Sequence, residues 1–300
     1  MKRVVSVSVG SSTRDHKAVL RLLGQEISLE RIGTDGDVKK AIDLYRKLDG
    51  KVDAFGVGGY DLCLRVDDRV YTLHWAQRMI KSIKKTPVVD GTRLRQIHER
   101  QMAHAMEDAI GVEIPIKRAL EVEGVSRYGM GMGLVDRGYQ VLYGDLMFGL
   151  GLPIPIRSTQ KLKLVARILV PLVSLLPMEL LTPTGEKQEQ NRPRWHKHWQ
   201  WASVIAGDFL YIRTAMPQNI HGKVILTNTT TDADVKFCRQ RGARYLVTTT
   251  PRIQGRSFGT NVLEAAIVAL AGKGRALNDD ELQEMLTELK LEPTIEKLNE

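Results

Sequence analysis

The chain has 300 residues, of which 43% are hydrophobic and 26% charged, with a net charge of +9 and a pI of about 9.5. This composition excludes an intrinsically disordered chain, and the length favours two domains because single cores stop growing at roughly 250–300 residues. The positive charge favours anionic partners, which include phosphorylated metabolites, acidic lipid and nucleic acid.

The first half of the chain alternates strand-like and helix-like patterns. Short runs rich in β-branched residues, each closed by Gly, Ser, Thr or Asp, predict strands at 4–9, 27–32, 52–57 and 86–89. Apolar residues at helical spacing predict helices at 18–23, 38–48 and 94–110. Strands that alternate with helices indicate βαβ units and a parallel sheet.

The pattern restarts after Gly111. Further strands are predicted at 119–122, 140–143, 204–208, 224–227 and 245–248, and further helices at 130–137, 232–241, 261–271 and 278–289. We therefore predict an α/β chain of two Rossmann-like domains with mostly parallel sheets, residues 1–112 and 113–300. The second domain carries a helical insertion at 152–201 and a C-terminal helix.

The loops at the carboxyl ends of the predicted strands share a chemistry that suits an anion. Glycines and small hydroxyl residues let backbone N–H groups approach an anion, and arginine adds bidentate donors. Ligands of open α/β sheets bind at this edge, so we expect a small anionic or phosphorylated ligand there. The cofactor-binding candidates are Thr229, Thr230, Thr231, Thr249, Thr250, Arg252, Arg256, Ser257 and Asn261. The substrate-binding candidates are Ser11, Ser12, Thr13, Arg14 and Asp61. The alternative is that these residues only cap helices.

Candidate acid–base groups also lie at strand ends. Asp145 and Asp208 are the foremost, because each follows an apolar strand and a glycine, and Lys187 is a third catalytic candidate. Asp90 and His98 are further titratable groups of this kind. A carboxylate at a strand end can transfer a proton or bind a hydroxyl group, but it can equally cap a turn. The two cysteines lack any zinc-ligand spacing, so no metal is expected.

A dinucleotide fingerprint is present only in outline. The chain has no P-loop motif, and the run Tyr128–Gly133 places three glycines between a strand and a helix without the GxGxxG spacing. Asp145 ends the next strand, as the Rossmann arrangement requires. Glycines that let a helix pack closely on a sheet would give the same pattern. NAD or NADP is therefore a hypothesis for the cofactor.

The segment 161–201 breaks the alternation. Its apolar part, 162–181, is about as long as a membrane span, but it contains Lys163, Arg167, Glu179 and two prolines. A basic amphipathic stretch followed by the aromatic, cationic cluster 192–201 suits a membrane surface. The alternative is a pair of helices that packs over the second sheet with the tryptophans as core.

Several expectations about partners and location follow. No signal-peptide pattern is visible at the start of the chain, so a cytoplasmic protein is expected, with peripheral membrane contact left open. Nucleic acid is not an expected partner because the basic residues are interspersed with acids along most helices. The sequence leaves homo-oligomerisation open.

The chain resembles bacterial proteins labelled quinate/shikimate 5-dehydrogenase-like. The resemblance covers most of the chain and is carried by Val5–Gly10, Arg31–Asp37, Val52–Asp61, Gly144–Leu152, Ala206–Ile212, Leu226–Thr231 and Thr248–Leu270. It implies a two-domain Rossmann-type architecture with a nicotinamide cofactor in the second domain. The Lys/Asp motifs and the GAGG-type turn of the shikimate dehydrogenases are absent, so the resemblance assigns no catalytic residue.

These features together predict an NAD(P)-dependent oxidoreductase that acts on a hydroxyl or carbonyl group of a small polar metabolite. Asp145 or Asp208 would bind the hydroxyl group or transfer its proton. The alternative is a non-catalytic protein that binds an anionic ligand or a membrane surface through residues 161–201.

Overall fold

Two open α/β sheets form the frame of the molecule in a computed structural model, which describes residues 1–175, 190–250 and 259–300 and the backbone of 252–253 and 256–257. The first sheet contains β1 (Lys2–Ser8), β2 (His16–Leu22), β3 (Gln25–Gly33), β4 (Ala54–Gly58) and β7 (Val88–Val89). Two separate hairpins are formed by β5 (Cys63–Val66) with β6 (Arg69–Thr72) and by β13 (Arg252–Ile253) with β14 (Arg256–Ser257). The second sheet contains β8 (Arg118–Glu121), β9 (Gln140–Tyr143), β10 (Val204–Gly207), β11 (Val224–Thr227), β12 (Tyr245–Thr248) and β15 (Thr294–Lys297).

Helices cover both sheets. Their bounds are Val38–Leu48, His74–Ile80, Thr92–Leu94, Arg100–Ile110, Tyr128–Asp136, Thr159–Val173, His196–Trp201, Phe209–Ala215, Asp232–Gln240, Thr260–Ala271 and Asp279–Leu289. Short 3-10 helices lie at Ser12–Arg14 and Gly111–Glu113, and π-helical turns at Arg95–Glu99 and Asp145–Gly149. We call the continuous helical segment 92–110 the interdomain helix, Thr159–Val173 the insertion helix and Thr260–Ala271 the returning helix. Among the described helices, none has the length and apolar character needed to cross a membrane.

Both sheets have a point at which the strand order reverses. The order is β2-β3-β1-β4-β7 in the first sheet and β15-β12-β11-β10-β8-β9 in the second, and all pairs are parallel except those of β2 and β15. The order reverses between β1 and β4 and between β8 and β10, and in open α/β sheets ligands bind at the carboxyl ends of the strands beside such a point. The predicted α/β fold with mostly parallel sheets is confirmed.

The returning helix packs on the first sheet, although it follows the second sheet in the sequence. Its buried residues Val262, Ala266 and Ile267 share a core with Val4 of β1 and Ala54 of β4. The first sheet provides a close approach for its beginning: a Cβ added at Gly56 would lie 2.9 Å from the carbonyl oxygen of Asn261. The chain therefore returns from the second sheet to the first between β12 and the returning helix.

One local prediction is wrong, and one edge strand was not predicted. The predicted helix at 18–23 is wrong: His16–Leu22 is strand β2, paired antiparallel with β3. Leu23 and Gly24 both adopt positive φ, as a two-residue hairpin turn requires, and this turn fixes the pairing. The sequence also gave no signal for β15, which pairs antiparallel with β12 at the edge of the second sheet.

The structure favours packing as the role of the tryptophan cluster. Trp199 is 1% exposed and belongs to the core on one face of the second sheet, with Trp195 and Trp201 packed against the same core. The insertion helix contributes Leu162 and Ala166 to the core on the other face. The helices of the insertion are thus anchored on the second sheet.

Candidate functional site

Acidic and basic side chains converge where strands of the two sheets end. We call this group the charged cluster; it consists of Asp61, Arg95, Glu99, Glu123, Arg127, Asp145 and Asp208. Asp61 follows β4, Glu123 follows β8, Asp145 follows β9 and Asp208 follows β10. Arg95 and Glu99 come from the π-helical turn of the interdomain helix, which runs between the sheets.

Arg127 links the interdomain helix to the second sheet. Its side chain is 4% exposed and forms ion pairs with Glu99, which is 0% exposed, and with Asp208, which is 29% exposed. The distance from Arg127 Nη2 to Asp208 Oδ2 is 2.7 Å. A buried guanidinium between two carboxylates is stabilised by both, so the three side chains hold each other in place.

A third ion pair extends the cluster to the first sheet. Arg95 Nη2 donates to Asp61 Oδ1 at 2.5 Å and to Thr92 Oγ1 at 2.8 Å. Burial raises the pKa of Asp61, and the charge of Arg95 opposes that rise. Asp61 remains partly exposed, so its carboxylate is accessible from solvent.

The turn after β8 binds a carboxylate of the same chain. The backbone N–H groups of Gly124 and Val125 donate to Asp145 at 3.1 and 2.8 Å. Burial raises the pKa of Asp145 to about 6, against the opposing effect of these donors. This turn follows the first strand of the second sheet, where a Rossmann fold holds an anion.

Glu123 and Asp208 have opposite pKa shifts. Burial and then the charge of Asp208 raise the pKa of Glu123 well above its usual range. Burial also acts to raise the pKa of Asp208, but the charge of Arg127 and donors from Leu210 and Asn228 outweigh burial and lower it. Glu123 is therefore suited to hold a proton that Asp208 lacks.

The glycine run 128–133 serves helix packing. A Cβ added at Gly129 would lie 2.4 Å from the carbonyl oxygen of Gln96, and one at Gly133 would lie 2.6 Å from that of Arg100. Gly131 faces the side chain of the buried Glu121. The glycines thus bring the helix Tyr128–Asp136 against the interdomain helix and the sheet.

In the threonine-rich turns, the hydroxyl groups of Thr231 and Thr250 bind other parts of the fold, whereas the buried Thr249 hydroxyl has no hydrogen-bond partner among the described residues. Thr231 caps the helix Asp232–Gln240 in a capping box with Asp234, so the structure favours the capping interpretation for this residue. Thr250 Oγ1 donates to the carbonyl oxygen of Asn228 at 2.9 Å, and Thr249 is buried. Thr230 is buried and Thr229 half-buried in the same turn.

Other predicted residues stabilise the meeting of the two sheets. Asn261 Nδ2 donates to Ser6 Oγ of β1 at 2.7 Å, so it docks the returning helix on the first sheet. His98 Nε2 lies 2.6 Å from the carbonyl oxygen of Thr249, and burial lowers the pKa of His98 to about 4. Asp90 accepts N–H groups from Leu62, Cys63 and Thr92 and thereby fixes the turn after β7.

The first-domain candidates form an exposed turn. Ser12–Arg14 is a 3-10 helix capped by Ser11, whose side chain accepts from the Thr13 N–H group. Asp35 accepts the N–H group of Ser12 at 2.7 Å. The exposed hydroxyl groups and the Arg14 side chain are available to a ligand at this edge of the first sheet.

Four of the predicted residues cannot be placed. Lys187 lies outside the described residues, and only the backbone of Arg252, Arg256 and Ser257 is described, as the two strands of a short hairpin. Within the described ranges, no group of three or more His, Cys, Asp or Glu side chains is arranged to hold a metal ion.

Sequence reasoning missed Arg95, Glu99, Glu123 and Arg127. The first two were part of a charged helix, whose i,i+4 spacing is ordinary for a solvated face. Glu123 lies two residues after the end of the strand Arg118–Glu121, and Arg127 lies just before the helix Tyr128–Asp136. Neither residue is therefore part of a strand or helix pattern. A usable signal was the Glu-x-Glu at 121–123, two acids at the carboxyl end of a strand.

Two family models and several solved structures are similar to the chain. The model described as Domain of unknown function (DUF8754) matches residues 93–298, and the one described as Domain of unknown function (DUF8753) matches residues 3–90. No curated protein matches the chain.

The similar structures share few identical residues with the chain. An NAD-dependent malic enzyme from Thermotoga maritima has 14% identity and a TM-score of 0.39, over 95% of this chain and 75% of that chain. The malic enzyme of Entamoeba histolytica has 11% identity and a TM-score of 0.41, over 95% and 61%. A periplasmic solute binding protein of an ABC transporter from Actinobacillus succinogenes, with bound D-allose, has 10% identity and a TM-score of 0.39, over 99% and 98%. Likenesses at this level assign no activity.

The match to residues 93–298 includes most of the charged cluster and the whole second sheet. It spans more than half of the chain, which therefore belongs to the family described as Domain of unknown function (DUF8754).

Proposed function

We propose that the chain is an NAD-dependent oxidoreductase that acts on a hydroxyl or carbonyl group of a small polar metabolite at the charged cluster. The observation that carries the proposal is the pair of Glu123 and Asp208 at the ends of neighbouring parallel strands, with their pKa values shifted in opposite directions. Two carboxyl groups separated in this way supply an acid and a base at one pH.

The surrounding residues keep the acid and the base distinct. Arg127 holds Asp208 ionised, and Glu99 holds Arg127 from the other side. Asp61 and Tyr211 both lie close to Glu123. The charge of Asp61 helps to raise the pKa of Glu123, and the charge of Glu123 helps to raise the pKa of Tyr211. Asp61 and Asp208 are both partly exposed, so they would accept the hydroxyl groups of a substrate.

The residues after β8 and β9 fit a nucleotide. In a Rossmann sheet an acid about 20 residues after the glycine turn accepts ribose hydroxyl groups. Asp145 follows Gly124 by 21 residues and already contacts its N–H group. An exchange of partners would satisfy every group: Asp145 would accept ribose hydroxyls, and the N–H groups of Gly124 and Val125 would donate to a phosphate.

The same carboxylate favours NAD over NADP. Asp145 accepts hydroxyl donors but repels a phosphate on the ribose, and no arginine among the described residues is paired with it. When bound, the nicotinamide ring would supply hydride transfer. The chain's own residues would move the proton: Asp208 accepts it from the substrate hydroxyl and returns it in the reverse direction, while protonated Glu123 donates a hydrogen bond to the substrate oxygen.

Calorimetric titration with NAD⁺, NADH, NADP⁺ and NADPH tests the cofactor. We expect binding of the first two and weaker binding of the phosphorylated pair, with affinity for NADH lowered about tenfold or more by Asp145→Asn. Asp136→Asn is the matched control, because Asp136 is paired with Arg100 at the surface of the neighbouring helix. Absence of binding to all four dinucleotides would overturn the nicotinamide assignment.

Turnover of a panel of small hydroxy acids and polyols tests the acid–base pair. Glu123→Gln and Asp208→Asn should each lower turnover by about 10²–10⁴-fold while NADH affinity stays within a few fold. Turnover unchanged in both variants would show that the chemistry takes place elsewhere.

A further inference from the structure

The insertion helix has an apolar face that no described residue covers. Its inward residues, such as Leu162, pack into the core of the second sheet. Its outward residues include Leu164, Ile168, Leu172 and Leu175, which are 55%, 56%, 61% and 73% exposed. Their spacing of three or four residues places them on one stripe of the helix surface. A continuous apolar stripe, unlike scattered single residues, marks an interaction surface.

The stripe lies in a part of the chain that carries only positive charge. Residues 146–178 contain no Asp or Glu, whereas Arg157, Lys161, Lys163 and Arg167 occur within them. Lys161 is exposed on the outward face beside Leu164 and Ile168, and Arg167 is exposed at the edge of that face, above Lys163 and near the β5–β6 hairpin. Lys163 is turned to the flank, where it pairs with Asp67 of the β5–β6 hairpin at 2.5 Å.

The pattern runs in one direction along the helix. The two exposed cations lie in its first nine residues, and the end of the outward face is apolar, with Pro171, Leu172 and Leu175. Just before the helix, Leu150, Leu152 and Ile154 are also exposed. Such a helix suits a position parallel to a bilayer surface, with its apolar stripe at the acyl boundary and its cations among the headgroups.

An apolar stripe of this kind suits either a second copy of the chain or a membrane surface, and the charges beside it favour the membrane. A second copy docked through the same segment would offer Lys161 and Arg167 no acidic partner, because residues 146–178 contain no Asp or Glu, and it would add its own cations there. An anionic bilayer would neutralise them and take up the stripe. We propose that the insertion helix docks the protein on a membrane surface that contains anionic phospholipid.

Vesicle flotation of the full chain at low salt tests the proposal. We expect flotation with vesicles of phosphatidylcholine mixed with phosphatidylserine, little flotation with phosphatidylcholine alone, and loss of binding as salt is raised. The triple variant Leu164→Ser, Ile168→Ser, Leu172→Ser should stay with the unbound protein. The double variant Lys161→Gln, Arg167→Gln should weaken binding about fivefold for each charge removed.

Matched variants elsewhere separate this face from general effects. Val19→Ser, Val70→Ser, Val112→Ser removes three exposed apolar side chains at other places, and Lys39→Gln, Lys47→Gln removes the same net charge from the helix Val38–Leu48. Both controls should float like the parent, and circular dichroism should show all variants folded. The proposal would be overturned if the triple serine variant of the stripe still floats. It would also be overturned if Lys39→Gln, Lys47→Gln reduces flotation as much as Lys161→Gln, Arg167→Gln does. A fall of the sedimenting mass from dimer to monomer in the serine variant would overturn it too, because the stripe would then join two copies.

Discussion

Replacement of Arg127 by methionine gives the sharpest test of the charged cluster. Methionine keeps much of the side-chain volume but removes the guanidinium between Glu99 and Asp208. Glu99 is 0% exposed and would keep a buried charge with no ion-pair partner on that side, while Asp208 at 29% exposed retains contact with water. Loss of one partner of a buried ion pair costs about 3–5 kcal/mol. That loss is a large part of a total stability of roughly 5–15 kcal/mol.

The matched control is Arg100→Met on the interdomain helix, one residue after Glu99. Arg100 binds Asp136 with two hydrogen bonds of 2.6 and 3.0 Å, but the side chains are 48% and 27% exposed. A surface pair of this kind contributes about 0–1 kcal/mol. The two variants therefore make the same chemical change in two environments, and burial is the main difference between them.

The stability lost in Arg127→Met should depend on pH, and the direction of that dependence is a separate prediction. Burial raises the pKa of Glu99 in the folded protein, and removal of Arg127 raises that pKa further. The folded state then binds the proton more tightly than the unfolded state, so the loss of stability is greatest at high pH and shrinks as the pH falls. Urea unfolding of both variants at pH 7.5 and pH 5.5 measures this. Equal losses in Arg127→Met and Arg100→Met, or a loss in Arg127→Met that grows as the pH falls, would refute the reasoning.

Three further predictions concern positions around the cluster. Gly129→Ala should lower the free energy of unfolding by about 1–3 kcal/mol, because its Cβ would meet the carbonyl oxygen of Gln96; Gly149→Ala, with open space around it, is the control in the same urea titration. His98 is neutral in the folded protein because burial lowers its pKa from 6.5 to about 4, so stability should fall as the pH drops through this window, and unfolding of His98→Gln at pH 7 and pH 5 should show less of that fall. Thr231→Ala should lower the free energy of unfolding by about 1 kcal/mol through loss of a helix cap. The affinity of the Thr231→Ala variant for NADH should stay unchanged in calorimetry. A tenfold decrease in that affinity would indicate that Thr231 binds the ligand.

Much of the fold could be predicted because its signals are local. Most parallel strands are short apolar runs closed by a turn residue, and most of the longer helices show apolar residues at helical spacing. The segment His16–Leu22 was mistaken for a helix because four apolar residues in seven fit either period. Its pairing with β3 depends on the turn at Leu23 and Gly24, where a leucine adopts positive φ. No local sequence pattern predicts that the helix Thr260–Ala271 packs on the first sheet, because that packing depends on tertiary contacts.

The charged cluster shows why only part of a site can be read from sequence. Asp61, Asp145 and Asp208 could be proposed because carboxyl ends of parallel strands are recognisable. Their partner Arg127 lies 28 residues from Glu99 and 81 from Asp208, so their pairing exists only after both sheets have formed. The threonine turns stay a prediction as a ligand site, because capping and anion binding use the same residue types.

Titration of the Glu123 and Asp208 carboxyl carbons by ¹³C NMR tests the central claim most directly. If these two residues form the acid–base pair, the pKa of Glu123 lies above the ordinary value of about 4.3 and that of Asp208 below about 3.9. Replacement of Arg127 by methionine should raise the pKa of Asp208. Ordinary pKa values for both carboxyl groups, or a shift of both in the same direction, would contradict the account.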